Sequence, residues 1–346
     1  MDTIAAEPEL PVAGDTVAVF DAADGPLAVE AAVAALDRAG CIVLRNVLSA
    51  AKLAELVRRA DGVLARPAIA GTVGYAKIDH PKKLANPFLL RRPFVELALD
   101  AGVIEIIERY QGSETILAEA NLKYDAPVGY PYFPMHADFA AGWRKSDKSP
   151  ISLTAEDIRN RVGVGGVFYL HDTAEGAFSY CLGTHTLLAP RGQSLSAYPP
   201  DEKQRILARR KRIDGKAGDL VLFDDRGFHG PDQPSSVPRT VILLDYYRVA
   251  TFGRTQVAPM LAYPADLGGL VARQLRVLGI GAAEMVPPEE YLTTRFKRSP
   301  GFRRAQRAVD TAWRNVHLRQ QIKKLLGKRL MRWLGRGDTR AGTNDV

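Results

Sequence analysis

The chain has 346 residues, 46% hydrophobic and 25% charged, enough for one large core with appended helices and too apolar for general disorder. Its two cysteines, Cys41 and Cys181, exclude a disulfide framework and a CxxC metal site and fit a reducing compartment. The formal charge of +8 is localised: fourteen Lys or Arg stand against Asp310 and Asp338 between residues 297 and 340, leaving a slightly acidic body unsuited to gripping nucleic acid.

Residues 1–25 carry acids and prolines instead of a basic segment followed by an apolar one, and no run reaches the ~18 apolar residues of a membrane span. They read as a flexible arm on a cytoplasmic protein. "GCIVLRNVLSAAKLAELVRRADGVLA" predicts a strand over 41–44 and then a helix capped by Ser49, with Leu53, Leu56, Val57 and Leu64 on one side. A second helical stretch is expected over 94–110.

From there short β-branched or alternating runs succeed one another: "TILAEANLKY", "RVGVGGVFYL", "FSYCL", "GDLVLF" and "RTVILLDYYRV". With no long amphipathic helices between them, they predict an antiparallel jelly roll over residues 26–262. "TAEDIRNR" and "PPDEKQRILARRKRI" read as helical excursions, and 263–300 as an irregular connection. "GVGG" at 163–166 lacks the ending of a phosphate loop and precedes a β run, so it reads as close strand packing.

"FPMHADFAAGW" holds His136 and Asp138 two apart, which on a strand edge face the same way. "GDLVLFDDRGFHGP" supplies His229 after another strand. Two imidazoles and one carboxylate on a β scaffold make the facial triad that holds Fe(II) and leaves positions open for an organic cosubstrate and O2. Arg239 opens the apolar strand "RTVILLDYYRV", and its fork suits a carboxylate such as the distal one of 2-oxoglutarate, with a bridge to Asp224, Asp225 or Asp245 as the structural alternative.

"HAD", "EGAFSYCLGTHT", "GDLVLFDDRGFHG" and "PRTVI" together resemble the phytanoyl-CoA dioxygenase superfamily of Fe(II)- and 2-oxoglutarate-dependent oxygenases over roughly residues 39–250. The resemblance implies a double-stranded β-helix with His136, Asp138 and His229 on iron and Arg239 on 2-oxoglutarate. "ANLKYDAPVGYPYFPMHADFAAGW" is similar to the segment before the iron site in the ectoine hydroxylase branch. This implies Asn121 and Lys123 in the cosubstrate pocket and Phe139 and Trp143 on the substrate wall. Many relatives carry a hydroxylated residue two after the arginine, where this chain has Val241. Halogenases of the superfamily lack the carboxylate ligand, so the presence of Asp138 implies hydroxylation, with release of succinate and carbon dioxide.

Tyr169 reads as barrel interior or pocket wall and His185 as a loop or pocket residue. His171 reads as a hydrogen-bonded neighbour of the site, and His80 and His317 as surface residues. In 301–346, "QQIKKLLGKRLMRWLGRG" places Ile322, Leu325, Leu326, Leu330, Trp333 and Leu334 at helical spacing among Lys and Arg side chains. This basic amphipathic tail either docks on the body or lies on an anionic membrane surface through residues 301–336. Its apolar stripe is foreign to phosphate binding and argues against nucleic acid. A membrane-surface tail would suit a lipid-linked substrate such as the Kdo sugar of lipopolysaccharide, on which some superfamily members act; a free small molecule is the other substrate class. The competing readings are a catalytically silent jelly-roll binding protein held at the membrane surface by its basic tail, and a zinc or iron cupin without 2-oxoglutarate.

Overall fold

A computed structural model describes residues 16–65, 82–85, 87–127, 133–140, 153–254 and 262–280. The strands are β1 (Ala18–Asp21), β2 (Cys41–Arg45), β3 (Lys82–Ala85), β4 (Thr115–Asp125), β5 (Gly163–Tyr169), β6 (Thr173–Cys181), β7 (Arg210–Gly215), β8 (Leu220–Asp224), β9 (His229–Pro231) and β10 (Arg239–Arg248). They form a seven-stranded sheet in the order β1-β2-β8-β5-β10-β4-β3 and a three-stranded sheet in the order β7-β6-β9. This is the jelly-roll core expected from the sequence.

The central strands β2, β5 and β8 are buried on both faces, which is why they read as near-continuous apolar runs. Along β10, Ile242, Leu244 and Tyr246 face an outer helical layer, whereas Val241 and Leu243 face the short sheet. The interior is filled by Val167, Tyr169, Val221 and Phe223 of the long sheet against Phe178, Tyr180 and Ile213 of the short one.

The outer layer comprises α1 (Val29–Ala39), α2 (Ala50–Leu64), α3 (Arg92–Ala98) and α4 (Ala101–Gln111). Leu36, Leu56, Phe94, Ile104 and Ile107 are fully buried there, each contributing about 1.5–3 kcal/mol. α1 stops at Gly40, whose φ of 78° is left-handed. A side chain at Gly40 would also meet Tyr180 Oη and His185 Nδ1 at 2.5 Å.

Four expectations are corrected. The arm predicted over 1–25 gives way at Ala18–Asp21 to β1, which pairs in parallel with β2. The single helix expected over 94–110 is two, because Asp100 caps α4 by accepting from Val103 N at 2.9 Å. "TAEDIRNR" forms only a 3-10 turn at Asp157–Arg159. "PPDEKQRILARRKRI" splits into α5 (Pro200–Leu207) and strand β7, where Ile213 turns inward. Ser49 is at the N-cap of α2, as expected, but its side chain makes no capping hydrogen bond. The tail at 301–346 lies outside the described residues, and no described helix is long and apolar enough to cross a membrane.

Candidate metal centre

β9 begins at His229, which exchanges two backbone hydrogen bonds with His136: His136 N to His229 O at 3.0 Å and His229 N to His136 O at 2.8 Å. The HxD segment is therefore extended, though outside a full strand. Ala137 is fully buried on its other side, and Asp138 N donates to Asp225 O at 2.8 Å. A loop latches the segment from outside: Ala137 N donates to Gln193 O at 2.9 Å, and Gln193 Nε2 donates to Asp138 O.

The ligand atoms of His136, Asp138 and His229 all lie within 4.8 Å of one another. Asp138 Oδ1 is 3.4 Å from His136 Nε2, and Oδ2 is 3.3 Å from His229 Nε2. His136 Nδ1 sits 3.0 Å from Pro134 O, and His229 Nδ1 sits 3.0 Å from Gly227 O. A carbonyl only accepts, so each Nδ1 turns a proton to it and each Nε2 is left facing Asp138. Two imidazole Nε2 atoms and a carboxylate thus converge on one point; the donor set and the carbonyl-oriented imidazoles fit Fe(II). Burial raises the Asp138 carboxyl, but His229 and His136 outweigh it and hold it well below the usual carboxylate range, ionised at neutral pH.

Aromatic rings shield the centre. Phe223, Phe178 and Tyr180 lie 4.5, 5.8 and 6.5 Å from the His229 ring, with Tyr180 stacked at 12°, and Phe133 lies 4.9 Å from His136.

Strand alternation puts Asn121, Lys123 and Asp125 on the same inner face. Arg239 stands directly opposite Asp125 in the β4–β10 ladder. Both are buried, and Arg239 Nε donates to Asp125 Oδ2 at 2.9 Å. Lys123 Nζ is 3.2 Å from Asp125 Oδ1 and 5.1 Å from the centre of the Phe133 ring. Through Phe133 this basic pair adjoins His136. The bridges considered from the sequence, to Asp224, Asp225 or Asp245, are replaced by Asp125. Asn121 Nδ2 donates to Glu119 Oε1 at 2.6 Å.

Acidic groups lie on the other side of the centre. Asp225 is 1% exposed, and its Oδ1 meets no hydrogen-bond donor among the described residues. Burial first, then the charges of Asp138, Asp245 and Asp224, push its carboxyl well above the usual range. Phe139 is buried beside Asp138, its ring 5.4 Å from Tyr247 and 5.6 Å from Phe252.

The remaining predicted positions separate. Tyr169 is a core residue: its hydroxyl donates to Ile213 O at 3.0 Å and accepts from Phe178 N at 2.7 Å, tying the two sheets together. His185 is turned to the outer layer, Nε2 donating to Asp37 O at 2.9 Å; this corrects its placement on the pocket. His171 is partly exposed, its Nε2 3.3 Å from Asp61 Oδ1. Trp143, His80 and His317 lie outside the described residues. Sequence reasoning missed Asp125 and Gln193, and named Asp225 only as a bridge partner of Arg239. The alternation of "NLKYD" and the paired acids of "FDDRGFHG" were the available signals.

No protein-family model matches the chain. It is 26% identical over 242 residues to an ectoine dioxygenase of Sphingopyxis alaskensis, covering 66% of this chain and 78% of that one. The crystal structure of the epimerase SnoN in complex with Fe3+, alpha ketoglutarate and nogalamycin RO matches at a TM-score of 0.51 and 19% identity, covering 75% of this chain and 98% of that one. EctD from S. alaskensis with bound Fe matches at a TM-score of 0.48 and 21% identity, covering 66% of this chain and 79% of that one.

Proposed function

We propose that this chain is an Fe(II)- and 2-oxoglutarate-dependent oxygenase that hydroxylates an unactivated C–H bond of a small-molecule substrate. The observation that carries this reading is the convergence of two imidazole Nε2 atoms and an ionised carboxylate, each imidazole oriented by a backbone carbonyl. Similarity to an ectoine dioxygenase supports it. When bound, iron with 2-oxoglutarate and O2 supplies oxidative decarboxylation coupled to hydroxylation.

The protein's own groups do the rest. The carbonyls of Pro134 and Gly227 fix both imidazole tautomers, and the retained carboxylate of Asp138 suits hydroxylation over halogenation. Phe133, Phe178 and Phe223 exclude water from the ligand side. Lys123 and Arg239, both paired with Asp125 on the inner face, are the cations suited to the distal carboxylate of 2-oxoglutarate. Val241, fully buried, offers no hydroxyl there, and Lys123 is the donor that takes its place. Asn121 lies one alternation further along the same face. A lipid-linked or Kdo substrate rests on the tail alone.

Anaerobic addition of Fe(II) and 2-oxoglutarate tests the reading. A weak visible charge-transfer band is expected in the parent and absent in His136→Ala; a parent with no band is a binding protein or a cupin of another kind.

A further inference from the structure

The HxD segment is paired on both sides. His136 bridges antiparallel to His229 on one side and to Ser194 on the other, so the residues bearing two of the three ligands lie between β9 and the loop 189–198. The β9 side brings a ligand of its own. On the loop side Gln193 reaches the segment twice: its carbonyl accepts from Ala137 N at 2.9 Å, and its side-chain Nε2 donates to Asp138 O.

Asp138 depends on such support more than the imidazoles do. Its side chain is 40% exposed, against 16% for His136 and 8% for His229, so packing restrains it least of the three. Each imidazole is also tied through Nδ1 to a backbone carbonyl, whereas the Asp138 oxygens face the other two ligands. The direction of the carboxylate therefore follows from its own main chain. That chain is held through N by Asp225 O at 2.8 Å and through O by the Gln193 amide. A carbonyl oxygen needs a donor, and the amide supplies an N–H at the end of a side chain long enough to reach it. Glu in the same place would turn acceptor oxygens against the carbonyl.

The loop carrying Gln193 is anchored away from the metal ligands. Leu195 and Tyr198 are buried in the cluster that includes Ala137 and Phe228. The Tyr198 hydroxyl accepts from Arg191 N and donates to Gly192 O, both at 3.3 Å, and Arg191 Nε donates to Glu202 Oε2 of α5 at 2.7 Å. The Gln193 carbonyl accepts from Ala137 whatever its side chain. Removing the side-chain amide thus deletes one bond, to Asp138, and leaves the loop seated.

We propose that Gln193 is a positioning residue of the metal centre: its side-chain amide fixes the Asp138 peptide and so sets the direction from which the carboxylate meets the ion. This role rests on the metal-centre reading above and extends it beyond the triad. Gln193 then governs metal affinity and coordination geometry, with little influence on stability.

The test uses the full chain and Co(II), whose visible bands report ligand geometry as well as occupancy. Gln193→Met keeps the length of the side chain without a donor or a charge, and Gln193→Ala removes it. In both, the dissociation constant for Co(II) is expected to rise about tenfold or more and the visible bands to change shape, while the circular dichroism and Tm of the metal-free protein match the parent. Parental affinity and bands in both variants overturn the proposal. So does a loss of affinity matched by a lower metal-free Tm, which makes the contact a structural one. Failure of the parent to bind Co(II), or undiminished binding in His136→Ala, overturns the metal-centre reading and this role with it, whereas parental binding shared by both Gln193 variants overturns this role alone.

Discussion

His136 and His229 differ from His171 and His185 in the backbone carbonyl on each Nδ1, which frees Nε2 for a metal. Gly227 supplies one of these carbonyls, and a side chain there would fall 1.9 Å from Tyr180 Oη. Gly227→Ala must displace either the carbonyl or the ring stacked on His229. Its Fe(II) dissociation constant is expected to rise about 10–100-fold, read from the charge-transfer band at increasing Fe(II); unchanged affinity would show that the loop does not orient the ligand. At the basic end, Arg239→Ala removes charge-assisted hydrogen bonds worth about 1.5–3 kcal/mol each. The KM for 2-oxoglutarate in uncoupled succinate release should rise about tenfold or more, and a cupin without that cosubstrate would show no such change. The triad was legible in the sequence because metal chemistry dictates its residue types and strand alternation its spacing. Asp125 was not, because it reaches Arg239 only through a ladder register between residues 114 apart.

The segment bearing His229 is held by a buried network that joins three elements. Arg226 Nε donates to Asp224 Oδ1 at 2.9 Å, and its Nη1 donates to the carbonyls of Ile158, Arg159 and Asn160 at 3.0–3.1 Å. Tyr110 of α4 donates to Asp224 Oδ2 at 2.5 Å. Burial raises the Asp224 carboxyl, but the Arg226 charge and hydrogen bonds outweigh it and hold it below the usual range. An acid with a folded pKa below its unfolded value, about 3.9, stabilises the fold fully above that pH. As the pH falls toward the folded value the unfolded chain takes up the proton first, and the contribution is lost. Asp224→Asn leaves a buried guanidinium without its anion and is expected to cost about 3–5 kcal/mol at neutral pH. In urea melts the gap between parent and variant should narrow as the pH drops below about 4; a gap independent of pH would remove the ion pair as its cause. No residue pattern signals this network, because Tyr110, Asp224 and the carbonyls of residues 158–160 meet only in the fold. Strand existence is legible in β-branched runs, whereas the charges of "ARRKRI" mask its one inward position, Ile213, that makes β7 a strand.

At the scale of the whole chain, charge is divided between a slightly acidic body and a basic stretch, with fourteen Lys or Arg against two Asp between residues 297 and 340. That stretch lies outside the described residues, so its apolar stripe is argued from the sequence. Near an anionic surface each cation contributes about 1 kcal/mol, decaying within a Debye length, and the leucines with Trp333 add apolar insertion. A body of opposite sign is repelled from the same surface, so binding to anionic vesicles should reside in the tail. Deletion of residues 300–346 is expected to abolish sedimentation with phosphatidylserine-containing liposomes at low salt, while uncoupled succinate release persists because His136, Asp138, His229, Lys123 and Arg239 all lie before it. The intact chain should lose binding as salt rises and show little with neutral vesicles. Equal sedimentation of the intact and shortened chains would instead assign the apolar stripe to a contact with the body, which predicts a lower Tm for the shortened chain, measured in the same preparation.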